Sequence, residues 1–282
     1  MTEGALPLRR HGHGPPLMLL HGYTGSGQSM AGLARLLERD CETLAPDLPG
    51  HGRTVLAPVP AAYDFDACLR RLVATLESTG HRRAHWLGYS MGARLALGCA
   101  VRHPDSIASL VLLAGRAGIE DPAERTARRG ADEALAARIE SRGIEAFVDE
   151  WLAQPLFATL RRLGEDFLNS ERQARLANDA RGLAASLRGL GPAAQPALFD
   201  ALPGVRVPVL LVAGALDLRF VELAQDLARR LPQAEVCVIP EAGHAAHLER
   251  PEAFARAVRE FLRRVNGPAS PFASFPAQEI AS

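Results

Sequence analysis

The sequence predicts an α/β protein whose mostly parallel, doubly wound sheet is interrupted by an inserted helical cap. Three observations carry this expectation. Short apolar runs that lead into Gly-containing turns recur along the chain, the pattern of strands buried on both faces. Segments with apolar residues at helical spacing separate them, the alternation of a parallel sheet with helices on both faces. Across residues 116–203 that rhythm stops, the chain turns helical and strongly charged, and the rhythm then resumes.

Taken in order, residues 5–9 are expected to form a short opening strand, followed by a Gly/His/Pro turn at 12–16. Leu17-Met18-Leu19-Leu20 suits a buried strand and runs into His21-Gly22-Tyr23-Thr24-Gly25. A Gly-rich turn past a buried strand presents backbone N–H groups, which makes the Tyr23 N–H a candidate oxyanion donor. The same turn also reads as a plain connection. Helical spacing covers 29–38, and 43–46 reads as a strand leading to Asp47-Leu48-Pro49-Gly50-His51-Gly52-Arg53. This second Gly-rich turn reads as structural, with His51 a turn residue. Residues 64–78 form an amphipathic helix, with Phe65, Leu69, Leu72, Val73 and Leu76 at helical spacing.

The next stretch, Leu87-Gly88-Tyr89-Ser90-Met91-Gly92, ends an apolar run (84–87) and opens a helical one (93–100). Strand, tight turn and helix are the context in which G-x-S-x-G reads as a nucleophile elbow. A serine on such a turn exposes its Oγ, and the following N–H, that of Met91, can face a developing oxyanion. Taken alone, the pattern also fits an ordinary turn with a chance serine. His103-Pro104 ends the helix, and 109–114 is another buried strand.

Within the insertion, helices are expected at 124–141, 144–153, 170–190 and 195–201, with Pro and Gly between them. Helices packed on the side of the sheet are the alternative; the resumed rhythm favours a cap over the carboxyl ends of the strands. That rhythm brings a strand at 207–214, Asp217, a helix at 221–230, a strand at 235–239, Gly243-His244 and a closing helix at 251–265. The expected organisation is a core in two parts, 1–115 and 204–266, a cap at 116–203 and a loosely ordered tail at 267–282.

Composition narrows the function. With 282 residues, 48% hydrophobic and 23% charged, the chain supports one large core and argues against disorder. The 32 basic and 32 acidic residues cancel, so no global field points to nucleic acid. The chain has no lysine. Schiff-base chemistry is thereby excluded, and anions must be bound by guanidinium groups. Cys41, Cys68, Cys99 and Cys237 show no metal or redox spacing, which suits reduced thiols. Residues 1–10 lack an apolar signal core and no apolar run is long enough to span a membrane, so a cytoplasmic location is expected.

Ligands of a doubly wound sheet sit at the carboxyl ends of its strands. Ser90, Asp217 and His244 each follow a predicted strand, in the order Ser, Asp, His that a nucleophile-elbow architecture uses. His244 would take the Ser90 proton and Asp217 would hold the imidazole in the right tautomer. His247 is a competing base, expected to pack or to line the pocket rim.

The HGYTG, DLPGHG, GYSMG and GH motifs resemble the α/β-hydrolase superfamily over nearly the whole chain to about residue 265. Further features resemble one branch of it, the 2-succinyl-6-hydroxy-2,4-cyclohexadiene-1-carboxylate synthases of menaquinone biosynthesis. The elbow reads GYSMGARLAL, with Arg94 one helical turn after the serine and Ala93 at a common glycine position. Glu124-Arg125-Thr126-Ala127-Arg128 with Asp132 is similar to that branch's first cap arginine motif, and Trp151 opens a WxxxPLF signature. Arg175, then GLAASLRGLG and Gln195-Pro196, resemble its GLAxSLRxxG and QP stretch. Asp217-Leu218-Arg219-Phe220 matches DxKF with arginine for lysine, which keeps the charge and changes its geometry.

The resemblance implies pyruvate elimination from a small polycarboxylate, with no hydrolysis, no metal or organic cofactor, and no nucleic acid or membrane partner. It implies Ser90, Asp217 and His244 as catalytic residues and Tyr23 and Met91 as oxyanion donors. Substrate contacts are implied for Tyr89, Arg94, Arg128, Trp151, Arg175 and Arg219. A substrate with several carboxylates needs converging guanidinium groups under a lid, although each arginine also fits a solvated helix face. The rival reading is a serine hydrolase, an esterase or carbon–carbon bond hydrolase, using the same three residues; cap arginines count against an apolar substrate. A non-catalytic binding protein on the same scaffold is the third, opposed by the intact serine, aspartate and histidine.

Overall fold

In the computed structural model, which describes residues 4–57 and 59–267, the apolar runs become one seven-stranded sheet. In chain order the first elements are β1 (Leu8–His11), β2 (Pro16–Leu20), α1 (Ala31–Leu37), β3 (Glu42–Pro46) and α2 (Phe65–Ser78). They are followed by β4 (Ala84–Tyr89), α3 (Met91–Arg102) and β5 (Ile107–Leu113). A helical run comes next: α4 (Pro122–Leu152), α5 (Glu165–Leu176) and α6 (Ala180–Leu190), with 3-10 segments at Pro155–Leu163 and Phe199–Gly204. Finally come β6 (Val209–Gly214), α7 (Leu218–Arg230), β7 (Ala234–Ile239), α8 (Ala246–Glu249) and α9 (Pro251–Asn266). The strand order is β1-β3-β2-β4-β5-β6-β7, with β1 antiparallel to β3 and every other pairing parallel. The predicted doubly wound α/β sheet with a helical insertion is the fold observed.

Side chains alternate across each central strand, so one apolar run feeds two core layers. Met18, Leu20, Trp86, Leu110, Leu112 and Leu211 pack with α2, α3 and α7 on one face. Leu17, Leu19, Leu87, Val111, Leu113 and Val212 pack with α1 and α9 on the other. Trp86 is fully buried, and its indole N–H donates to the Ser106 carbonyl at 3.1 Å, which satisfies its one polar atom.

The turn between β4 and α3 is the tightest point of this core. Ser90 takes the left-handed side of backbone space, φ 51° and ψ −104°, and its N–H donates to the Leu113 carbonyl at 2.8 Å. Helix α3 then runs so close under β2 that a Cβ on Gly92 would lie 2.2 Å from the Leu20 carbonyl oxygen. A Cβ on Gly88 would lie 2.3 Å from the backbone of Gly92. Only glycine fits either position.

Several local expectations shift. The opening strand starts at Leu8 rather than residue 5, because Leu6 is buried and its N–H is taken by the Thr75 hydroxyl at 2.9 Å. The two helices expected at 124–141 and 144–153 do form, as the two limbs of α4, and the helix breaks between them at Gly143 (φ 82°, ψ 174°). The single helix expected at 170–190 is two, since the Asp179 side chain accepts from the Gly182 N–H at 2.7 Å and caps a new start. The helix expected at 195–201 is a 3-10 segment beginning at Phe199. The tail expected at 267–282 lies outside the described residues from 268 onward.

The insertion has its own small core, where Ala136, Ile139, Phe147 and Val148 of α4 meet Leu183, Ala184 and Leu187 of α6. Outside, Arg188 forks onto Glu133 and Glu140. Hydrogen bonds stitch the insertion to the sheet: Tyr23 Oη donates to the Leu183 carbonyl at 2.9 Å, and Asn178 Nδ2 to the Thr24 carbonyl at 2.9 Å.

The tight elbow makes a stability prediction. Gly92→Ala should lose more than about 3 kcal/mol, because the new Cβ meets backbone that cannot give way. Gly130→Ala, on the exposed side of α4 with open space around it, should be neutral or gain up to about 1 kcal/mol from helix propensity. Chemical denaturation of both variants checks the contrast; comparable losses would refute it.

Candidate active site

Three loops at the carboxyl ends of β4, β6 and β7 bring Ser90, Asp217 and His244 together. With the imidazole protonated at Nδ1, His244 donates to Asp217 Oδ2 at 2.7 Å. The Ser90 hydroxyl then donates to His244 Nε2 at 3.2 Å. The imidazole is fixed from the sides as well, by Phe220 edge-on at 4.7 Å and Tyr89 at 5.4 Å between ring centroids. Met91 is the first residue of α3, so its N–H has no acceptor within the helix and is open to an anion beside Ser90.

The loop carrying Tyr23 is held by two neutral histidines. His21 donates from Nδ1 to the Gly22 carbonyl at 2.8 Å and accepts the Leu48 N–H on Nε2 at 3.0 Å. His51 donates from Nδ1 to the Pro49 carbonyl at 3.0 Å and accepts the Thr24 N–H on Nε2 at 3.2 Å. Each ring thereby ties the His21–Gly25 turn to the Asp47–Arg53 turn. The structural reading of His51 holds. Burial pushes His21 down to about 4, and burial together with His21 pushes His51 well below the ordinary histidine range.

One cavity of about 220 Å³ lies beneath the insertion and opens onto Ser90. Of the residues singled out in the sequence, Tyr23, Tyr89, Ser90, Met91, Arg94, Arg128, Trp151, Asp217, Arg219 and His244 all line it. Trp151 belongs to an aromatic wall with Tyr23 at 5.3 Å and Phe157 at 5.6 Å. Its indole N–H finds no protein partner among the described residues. Arg94 is buried, with one contact to Gln195 Oε1 at 3.4 Å. Burial first, then Arg128 and Arg116, push its guanidinium down to about 9. Arg128 is tied to Asp132 at 2.7 Å.

The profile of the Alpha/beta hydrolase family matches residues 17–257. The 2-succinyl-6-hydroxy-2,4-cyclohexadiene-1-carboxylate synthase of Yersinia pestis is 36% identical over 259 residues, covering 90% of this chain and 89% of that one. This chain belongs to the α/β-hydrolase family, in that synthase branch. Among solved structures, MenH from S. aureus superposes with a TM-score of 0.87 at 28% identity, over 92% of this chain and 98% of that one. A thermophilic esterase from Thermogutta terrifontis, solved with malate bound, gives a TM-score of 0.82 at 27% identity, over 92% and 93%.

One expected contact of this family member is not in the cavity. Arg175 is buried on α5, where Nη1 is held by the Glu171 carboxylate at 2.6 Å and its carbonyl at 2.9 Å. A carboxylate one helical turn away holds it, and Arg175 is not among the residues that line the cavity. His247 packs at 4.5 Å against the Tyr89 ring, away from Ser90, and burial, then His244 and Arg175, push it down to about 3. Arg116, Ser186 and Phe220 line the cavity without having been singled out for it. Arg116 follows a buried strand's carboxyl end, and that position alone marks it.

Because His21, His51 and His247 stay neutral in the fold, the unfolded chain binds more protons below its histidine value of 6.5. Stability must therefore fall as pH drops through that range, and keep falling toward about 4 for His21. His21 and His247 each contribute about 2 kcal/mol of loss between neutrality and pH of about 5, and His51 acts in the same direction. Denaturant titrations at several pH values measure this; a flat profile between pH of about 7 and about 5 would contradict it.

Proposed function

We propose that this protein eliminates pyruvate from 2-succinyl-5-enolpyruvyl-6-hydroxy-3-cyclohexene-1-carboxylate. The product is 2-succinyl-6-hydroxy-2,4-cyclohexadiene-1-carboxylate, and the step belongs to menaquinone biosynthesis. One observation carries the reading: a serine–histidine–aspartate relay opens into a cavity with four guanidinium groups, those of Arg94, Arg116, Arg128 and Arg219. The substrate carries carboxylates on its ring, its succinyl arm and its enolpyruvyl group, and such a ligand matches that field. The relatives named for this reaction support the same reading.

In this reading His244, oriented by Asp217, takes the Ser90 proton as Ser90 Oγ removes the ring proton alpha to the succinyl carbonyl. Negative charge moves to the carbonyl oxygen, where the N–H groups of Met91 and Tyr23 stabilise it. The electrons then return through the ring, the ring double bond shifts, and the bond to the enolpyruvyl oxygen breaks. Enolpyruvate gains a proton and leaves as pyruvate. Residues 116–203 serve as the cap, Trp151 and Tyr89 as apolar walls, and the arginines hold the substrate.

A serine hydrolase is the second reading, favoured by the relay itself and by the similarity to the Thermogutta esterase. The two differ in whether Ser90 Oγ ever bonds to substrate carbon. Elimination predicts pyruvate release from the enolpyruvyl substrate, slower turnover when the abstracted position carries deuterium, and no ester on Ser90 by mass spectrometry after rapid quench. A kinetically competent Ser90 ester would overturn it in favour of the hydrolase.

Ser90→Ala, His244→Ala and Asp217→Asn should each remove most turnover with the fold intact. Since they act as a unit, the Ser90→Ala/His244→Ala double variant should be scarcely slower than the worse single. Steady-state pyruvate assays test this; multiplicative losses would count against a shared role.

A further inference from the structure

The cavity holds a cation outside the motifs that identify the family. Arg116 follows the end of β5, and β5 pairs in parallel with β6, Leu113 opposite Val212. Neighbouring strands lie about 4.8 Å apart. The turn after β5 and the turn after β6, which carries Asp217 and Arg219, therefore open side by side. Both arginines line the cavity.

Arg116 is braced by the backbone and Gln195, and paired with a carboxylate only at a distance. Its Nε donates to the Gly118 carbonyl at 3.1 Å, and its own carbonyl accepts from Gln195 Nε2 at 3.2 Å. Gln195 is fully buried and its Oε1 accepts from Arg94 Nη1 at 3.4 Å, so one amide sets two arginines of the cavity. The carboxylate beside Arg116 is Glu124, 3.7 Å from Nη2, beyond a good hydrogen bond, and its side chain is half exposed. Arg116 is largely buried while Glu124 can turn out into water, so the pair is open on the carboxylate's side. Arg128, by contrast, is held at 2.7 Å by the buried Asp132. Among the described residues no ion pair neutralises Arg219. Burial, partly offset by Glu124 and reinforced by Arg219 and Arg128, lowers the proton affinity of Arg116, as expected of cations gathered with too few anions.

We propose that Arg116, together with Arg219, forms a carboxylate subsite on the β5–β6 side of the cavity, and that substrate displaces Glu124 from it. The proposal rests on the elimination reading and adds the residue that takes one of the substrate's carboxylates. Arginine at 219, where the branch usually has lysine, fits this arrangement: two planar forks can share one carboxylate from two directions.

The test uses the whole enzyme with Arg116→Gln, Arg116→Lys and Arg219→Gln. In pyruvate-release kinetics, Arg116→Gln should raise KM about ten- to a hundredfold, the loss of a charge-assisted hydrogen bond, with a much smaller change in kcat. Arg116→Lys should recover part of that loss, and it serves alone if the glutamine variant does not fold. A KM for these variants within about twofold of wild type would overturn the proposal. Calorimetric titration with propane-1,2,3-tricarboxylate reads the subsite without turnover. Weaker binding by Arg116→Gln, about tenfold, supports it even if the wild type releases no pyruvate and the elimination reading falls. Equal affinities, or no binding of this probe by wild type, would overturn the subsite.

Discussion

Everything at this site hangs on the close approach of α3 to the sheet beneath Ser90. The strained serine, the glycine against the Leu20 carbonyl and the bond from Ser90 N–H to the Leu113 carbonyl make one joint. It fixes where Oγ stands relative to the ends of β2, β5 and β6. The oxyanion candidates and Arg116 come from the ends of β4 and of its two neighbours, β2 and β5, while the imidazole reaches Ser90 from the end of β7. A left-handed serine is costly by itself, of order 1–3 kcal/mol, and persists because two core layers close around it. Local strain is thus supported by the most deeply packed part of the molecule.

Above the sheet the logic changes from packing to charge. The insertion buries a modest apolar seam between α4 and α6, faces water with paired arginines and carboxylates, and turns a few arginines inward. Those turned inward differ by how they are neutralised. Arg175 has a carboxylate one helical turn back and is spent on it. Arg128 shares Asp132 but stays at the cavity wall. Arg94, which reaches the same cavity from α3 in the core, has an amide and, among the described residues, no ion pair. The protein therefore holds unneutralised positive charge against low-dielectric walls, a costly arrangement that only an anionic ligand relieves.

How much of this was legible in the sequence follows from which forces are local. Strand runs and the elbow were readable because double burial and the glycine requirement leave direct marks on residue type. Ser90, Asp217 and His244 were readable because strand ends in this topology converge. The break at Ala177–Asp179 was missed because apolar spacing runs through it, while the decisive event is one side-chain cap. Arg175 was placed in the pocket by motif; Glu171, which holds it, lies four residues earlier and belongs to none of the motifs. Arg116 left no motif at all. Its placement comes from the pairing of β5 with β6, which is a long-range fact.

The histidine braces between the His21–Gly25 and Asp47–Arg53 turns bear on how this protein's kinetics should be interpreted. Each ring works only while Nε2 keeps a lone pair for a backbone N–H, and Tyr23 is positioned through that bond. Acid that protonates either ring removes the acceptor and loosens the turn that carries Tyr23. An acidic limb in a pH–rate profile would then report a scaffold titration. Coupled braces that fail together would show themselves by a fall steeper than a single titrating site gives.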